Sequence, residues 1–302
     1  MSLNVHHLEL FYYVAKHRGI TQAVRKMPWG IQQPAVSGQI KQLEESLGDT
    51  KLFHRRPFAL TPAGAELYDF VAPFFSGLDQ VEERLRGEGN EHLRLAASAA
   101  VMTSHLPEVL TIVRKQFPGL RLTLKETKTS EIESVLQKQE ADIAITTLQK
   151  NTAPGIRSIK LLELPLLLLS PTNDQPFETF AQIRKTAAPD GIVKRPLISL
   201  AATDLLTRNF QPGLASREIQ WETTVEISDL PLMPTYVTGG FGCAVTLEIP
   251  HWPTPSGVTS LRLPKKDFRP LVIGILHTGN LKPVAQHFID VAKNYVSTHL
   301  SQ

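Results

Sequence analysis

The chain has 302 residues, 42% hydrophobic and 20% charged, which suits a soluble globular protein with room for about two or three domains. No run of about eighteen apolar residues is available to span a bilayer, and no basic segment leads into an apolar core, so a cytoplasmic location without membrane contact is expected. A single cysteine, Cys243, excludes an internal disulfide and any cysteine-based zinc site, and the formal charge of +3 hides an uneven distribution.

Residues 1–60 carry eight Lys and Arg against four Asp and Glu, a net +4, whereas residues 61–90 carry two against six, a net −4. A basic head suits a polyanion as partner. Within it, Val5, Leu8, Phe11, Val14 and Ala15 have the spacing of an amphipathic helix over 5–17, stopped by Gly19. Ile20 ahead of the capping hydroxyl of Thr21 opens a short second helix. After a turn containing Pro28 and Gly30, Val36, Ile40, Leu43 and Leu47 form one stripe of a third helix over 32–48. Pro34 suits its first helical position and Gly48 the left-handed residue that ends it. Its polar face is nearly uncharged at the start, with Gln33, Ser37 and Gln39, and Lys41 a turn later. Amides and hydroxyls donate and accept together, as base edges in a major groove require, although an ordinary surface helix fits this stretch alone equally well. Residues 52–60 then read as two extended pieces around Arg55 and Arg56, either a wing meeting phosphate or a solvated hairpin turn. Together these elements describe a winged helix-turn-helix over 1–61, with Thr21, Gln32, Gln33, Pro34, Ser37, Gln39, Lys41, Arg55 and Arg56 as candidate DNA contacts.

Thr61-Pro62 starts a long linker helix over 62–90. Leu67, Val71, Phe74, Leu78, Val81 and Leu85 step along it as a heptad seam, which predicts dimerisation through a partner helix; packing on the chain's own domain gives a similar pattern. Pro73 inside this helix predicts a kink, and Gly87, Gly89 and Asn90 a hinge. From 91 onward strands and helices alternate. Strands are predicted at 93–97, 120–125, 141–147, 166–170, 197–200, 222–227, 243–247 and 271–276, and helices at 106–117, 132–139, 177–185, from 203, and 284–300. The apolar stretch 161–169, broken by Glu163 and Pro165, reads as a buried strand, and 228–238, with Pro231 and Pro234, as an irregular helix. Eight strands in two groups predict a largely parallel α/β fold in two subdomains, 91–163 with 266–302 and 164–265.

In such folds ligands bind beyond the carboxyl ends of strands, near helix N-termini. Ser98, Thr103, Thr146, Thr147, Thr203 and Thr246 fall at these places. If they converge on one cleft they suit a small anion such as a carboxylate; plain helix capping is the alternative for each. Thr238-Gly-Gly-Phe-Gly242 runs from helix to strand, so a tight turn is expected there and not a phosphate loop. Cys243 lies in an apolar strand with no base paired to it by any motif, and no metal-ligand spacing, cofactor fingerprint or catalytic motif is present. No catalytic residue, metal or cofactor is therefore assigned. An enzyme using Cys243 or a threonine, an exported solute-binding protein and a regulator needing no ligand are the competing readings.

Leu8 to Val14, Ile20-Thr21-Gln22-Ala23, Gln33-Pro34-Ala35-Val36-Ser37, Ile40 to Gly48, Leu52-Phe53 and Leu60 to Gly64 resemble the LysR-type bacterial transcriptional regulators. Fainter similarity continues through Phe117-Pro118, Asp142 to Ile145 and Gly240-Phe241-Gly242. The resemblance implies a winged helix-turn-helix, a dimerising linker helix and an effector domain like the periplasmic binding proteins, arranged as homotetramers that bind operator DNA and a small-molecule inducer. It also implies that Gln33, Pro34 and Ser37 face bases and that Ser98, Thr147 and Thr203 lie near the inducer. Two departures stand out: the turn from Met27 to Pro34 is longer than the family's, and Gly38 stands where the family often has Arg.

Overall fold

Apolar residues every three or four positions build α1 (Val5–Lys16), α2 (Ile20–Val24) and α3 (Gln33–Ser46). A hairpin of β1 (Phe53–Arg55) and β2 (Phe58–Leu60) and the long α4 (Pro62–Leu85) follow. The computed structural model describes residues 3–27, 30–85, 91–279 and 281–300, with backbone alone over 79–85. It divides into two compact units, residues 1–90 with 137–140 and residues 91–136 with 141–302.

In the first unit, Leu10, Phe11 and Val14 of α1, Val36, Ile40 and Leu43 of α3, and Val71 and Phe75 of α4 share one buried core. Helix ends differ from expectation in detail. Gly19, not Thr21, is the N-cap of α2, so the Thr21 hydroxyl is free to point elsewhere. Pro34 takes the second helical position, behind Gln33. Gly48 is left-handed, with φ of 73°, and releases the chain from α3. At the start of α4 the Thr61 hydroxyl accepts from the Gly64 N–H at 3.0 Å. A Cβ on Gly64 would lie 1.8 Å from the Leu52 carbonyl oxygen, so only glycine lets α4 approach the hairpin this closely. Pro73 does not end α4, which runs on to Leu85. The expected hinge at Gly87, Gly89 and Asn90, and Pro28 and Trp29 of the long turn, lie outside the described residues.

The second unit holds two five-stranded sheets. The first takes β3 (His92–Ala97), β4 (Arg121–Glu126), β5 (Ile143–Thr147), β6 (Ile156–Leu164) and β12 (Leu271–Thr278), in the order β4-β3-β5-β12-β6. The second takes β7 (Leu166–Pro171), β8 (Leu197–Ser199), β9 (Thr223–Glu226), β10 (Cys243–Leu247) and β11 (Val258–Arg262), in the order β11-β7-β10-β8-β9. Helices α5 (Ala99–Thr103), α6 (Leu106–Gln116), α7 (Ile132–Gln137) and α11 (Pro283–Tyr295) accompany the first sheet in sequence. The second is interleaved with α8 (Phe180–Thr186), α9 (Leu205–Ala215) and α10 (Met233–Thr238). The proline-bearing stretch is irregular as expected, a 3-10 turn at Leu230–Leu232 leading into α10.

Two expectations are corrected. The sheets are mixed: β12 runs antiparallel to β5 and β6, and β7 antiparallel to β10 and β11. The stretch 161–169 is not one strand but the end of β6 and the start of β7, which belong to different sheets. The sequence reading caught only the end of β6, within 161–169, and missed β11: Arg157 to Lys160 of β6 and the residues of β11 after Val258 are exposed or half-buried and leave no continuous apolar run.

A buried ion cluster ties the first sheet together. Arg94 donates to Asp142 through Nη2 at 2.8 Å and through its backbone N–H at 2.9 Å, and Lys282 Nζ lies 3.3 Å from the same carboxylate. Burial pushes the Asp142 carboxyl up, but Arg94 and Lys282 outweigh it and hold the group below the usual aspartate range. Breaking such a cluster strands a buried charge, so Asp142→Asn should cost about 3–5 kcal/mol in denaturant unfolding at neutral pH. The contribution is present above about pH 4 and is lost as pH falls through the lowered folded value, so the wild type should lose this margin in acid while the variant, already without it, shows a flatter acid limb.

Candidate functional site

On the basic head the side chains expected to contact DNA are already joined to one another. Arg55 Nη2 on β1 donates to Ser37 Oγ on α3 at 2.7 Å, and the Thr21 hydroxyl on α2 donates to Gln33 Oε1 at 3.3 Å. Pro34, Ser37, Gly38, Lys41 and Arg55 line one open groove between helix and hairpin. Gln32 is exposed as the α3 N-cap, and Arg56 is exposed in the hairpin turn. Nothing lies within 4 Å of a Cβ built on Gly38, so packing does not require glycine there. Gln39 is a correction. At about 100° per residue it stands about 160° around α3 from Ser37, half-buried and off the polar face. Glu44 was missed altogether. Buried in the last turn of α3, its carboxylate accepts from the Leu52 N–H at 3.0 Å and from Lys51 Nζ at 2.7 Å, fixing the hairpin to the helix. Helical spacing was the available signal: four residues on from Ile40, Glu44 lies beside the apolar stripe, about 100° around α3 from its exposed neighbour Glu45.

The expected seam on α4 divides between two faces. Val71 is buried and Leu67 half-buried against the first unit's own core, with Ala72 and Phe75. The outward apolar stripe is Phe70, 81% exposed, with Phe74 at 57% and Leu78 at 49%. Val81 and Leu85 continue the helix, their side chains outside the described residues. A helix with one apolar stripe on its own core and a second facing outward has two apolar faces, which a single heptad count merges.

In the second unit a cleft of about 990 Å³ is bounded by Ser98 after β3, Thr127 to Glu131 after β4, Thr147 at the end of β5, Thr203 to Leu206 at the start of α9, and Glu226 to Leu230 from the end of β9 onward. It therefore collects Ser98, Thr147 and Thr203 from the expected hydroxyls, and adds the run Thr127-Lys128-Thr129-Ser130. That run directly follows a strand, a signal the sequence offered. Three expected hydroxyls do not belong to the cleft. Thr103 is exposed and donates to its own helix at Ala99 O, 2.8 Å away. Thr146 is buried, lines with Thr147 an apolar pocket beside the cleft, and donates to Thr129 Oγ1 at 3.4 Å. Thr246 faces a separate small pocket with Trp252 and Pro253, while Leu247, next along β10, reaches the cleft. Nor does Thr203 cap α9: Asp204 does, accepting from the Leu206 N–H at 2.8 Å, and burial pushes its carboxyl up.

The cleft's charges were not foreseen. Glu126, Glu131, Asp204, Glu226 and Asp229 face Lys128 and Arg208, five carboxyl groups against two cations. The subdomain carrying α9 and β9 presents three of the five, so a small anion is disfavoured on that wall. The wall formed by Ser98, Lys128, Thr129 and Thr147 remains compatible with one.

Comparisons in sequence and in structure bear on these sites. The family described as bacterial regulatory helix-turn-helix protein, lysR family, matches residues 5–65, and that described as LysR substrate binding domain matches residues 86–297. The RuBisCO operon transcriptional regulator of Allochromatium vinosum is 26% identical over 176 residues, and the match spans 57% of this chain and 57% of that protein. The transcriptional activator protein LysR of Escherichia coli (strain K12) is 25% identical over 249 residues, covering 81% of this chain and 77% of that one. Among solved structures, a full-length OxyR variant from Pseudomonas aeruginosa superposes with a TM-score of 0.68 at 19% identity, over 99% of this chain and 96% of the other, a likeness of fold.

Cys243 offers no chemistry to the cleft. Its side chain is fully buried on β10, its thiol 3.5 Å from Ser170 Oγ, and burial pushes its pKa up, with Ser170 only partly opposing. A buried thiol held above its ordinary range is a poor nucleophile at neutral pH. A thiol reagent at pH 7 should therefore label the native chain at least about a hundredfold more slowly than the unfolded chain; equal rates would restore the enzyme reading.

Proposed function

Because the chain belongs to the LysR family of DNA-binding transcriptional regulators, we propose that it reads operator DNA through α3 and responds to a small molecule held between its two α/β sheets. In this reading residues 1–61 are the winged helix-turn-helix, 62–90 the linker, and 91–302 the effector domain, in subdomains 91–163 with 266–302 and 164–265. The observation that carries the DNA half is the 2.7 Å bond from Arg55 to Ser37, which couples the hairpin to the reading face of α3. Arg55 keeps further N–H groups for phosphate while Ser37 faces a base edge. DNA as partner supports a cytoplasmic location.

For the effector, Ser98, Thr129 and Thr147 beside Lys128 support an anionic head group bound to the first sheet's wall, away from Asp204, Glu226 and Asp229. Self-association is supported by two separate apolar surfaces, Phe70, Phe74 and Leu78 on α4, and Leu122 and Leu124 on β4, an exposed edge strand. Two surfaces let a chain pair twice, as a tetramer requires. An effector that closes the cleft changes how these surfaces meet and so the spacing of the DNA-reading heads.

Anisotropy titrations of DNA from upstream of the chain's own gene test the DNA half. Ser37→Ala should weaken specific binding by about 1–3 kcal/mol without altering its salt dependence. Arg55→Ala should weaken binding to all sequences and reduce the slope of log affinity against log salt by about one. Binding that is indifferent to salt, or to both substitutions, would contradict the reading.

A further inference from the structure

The face of α3 opposite its buried stripe is not uniform. At about 100° per residue, Pro34, Ser37, Gly38 and Lys41 fall within about 100° of arc, turned away from the buried Val36 and Leu43. All four line the open groove between helix and hairpin. The two polar side chains among them are tied to neighbours: Ser37 Oγ accepts from Arg55 at 2.7 Å, and Lys41 Nζ lies 3.5 Å from Glu45 Oε1, one turn further along. Pro34 and Gly38 differ. Both are exposed, and, four positions apart, they are neighbours on the helix surface. Neither has a side-chain donor or acceptor, Pro34 has no N–H, and in the helix the Gly38 N–H serves the Pro34 carbonyl. Among the described residues, no atom lies within 4 Å of the place a Cβ would take on Gly38.

Pro34 and Gly38 thus form an apolar notch beside Ser37 and Lys41, with room for one more carbon at ordinary contact distance. Glycine weakens a helix interior relative to alanine, and the packing of α3 does not call for it, so open space is what Gly38 contributes. A notch without donors or acceptors is blind to the hydrogen-bonding edges of the bases. In the major groove one apolar feature remains, the C5-methyl group of thymine. Resting on the reading of α3 as the DNA-reading helix, we propose that Pro34 and Gly38 together receive the C5-methyl group of a pyrimidine. Thymine supplies it in unmodified DNA, and 5-methylcytosine presents the same group at the same place in a different base pair. The methyl carbon takes the position of the missing Cβ, covered by the Pro34 ring and the Gly38 backbone. Ser37 and Lys41 keep to the polar edges and phosphates beside it. Any side chain at position 38 closes the notch, so Gly38 sets specificity at one base pair.

Anisotropy titrations of the full chain on the protected segment of its upstream DNA test this, with each thymine in turn replaced by deoxyuridine, which lacks only the methyl group. At one position in each half-site the loss should be about fourfold, the worth of one buried methyl, with the salt dependence unchanged. At that position 5-methylcytosine should bind about fourfold more tightly than cytosine, each paired with guanine. Gly38→Ala places its own methyl group in the notch and strengthens the helix, so the variant folds. In it, thymine and deoxyuridine should come to within about 1.5-fold of one another. A deoxyuridine loss that persists undiminished in Gly38→Ala overturns the proposal. So does the absence of a loss at every thymine while Ser37→Ala still weakens binding, a result that leaves α3 as the reader. Binding indifferent to every base change and to Ser37→Ala overturns both.

Discussion

Pro165 has no N–H to give, and the ladder between β6 and β12 ends at the residue before it, where Leu164 faces Leu271. Its carbonyl instead accepts from the Glu248 N–H at 2.8 Å, and the next carbonyl, of Leu166, accepts from the Leu263 N–H at 2.9 Å, both at the other sheet. One residue thus hands the chain from the first sheet to the second. The return crossing, between Arg262 and Leu271, starts beside it. Two adjacent crossings leave the sheets joined along one edge, and the cleft is the space between the strand ends that this join permits. A pair of neighbouring strands is also a hinge of the kind that lets two lobes close on a ligand.

The two units use fixed polar contacts in different ways. In the first, Glu44 holds the hairpin to α3, and Arg55 holds Ser37, so the face proposed to read DNA is already organised in the free chain, and less side-chain freedom would be lost on binding. A carboxylate near a helix C-terminus opposes the helix dipole, and Glu44 is kept there by the Leu52 amide and Lys51. In the second unit the Arg94, Asp142 and Lys282 cluster makes the first sheet rigid, while Ser98 and Thr147 at the cleft are left without partners among the described residues. Rigid support beneath unsatisfied hydroxyls is the arrangement that suits ligand capture.

Much of this was legible in the sequence, and the limits have physical causes. The three helices and hairpin of the head follow from apolar spacing, Gly48 and Thr61-Pro62, because each signal is local. Antiparallel β11 and the first half of β6 were not legible, since their residues are mostly exposed or half-buried and form no apolar run. Among the candidate ligand residues, Ser98, Thr147 and Thr203 reached the cleft, whereas Thr146 and Thr246 did not. Position at a strand end is readable, but which face a residue takes depends on register. The cleft's carboxyl groups were invisible for a further reason: Glu126, Asp204, Glu226 and Asp229 are scattered in sequence and meet only through the sheet order.

The central claim is that one chain joins a DNA-reading helix to a ligand cleft and that occupancy of the second alters use of the first. Footprinting of the upstream DNA with the full chain, with and without an acid shown to bind, tests it most directly. Ligand should change the length or spacing of the protected segments while the bases next to α3 stay protected. An identical footprint at saturating ligand would contradict the account.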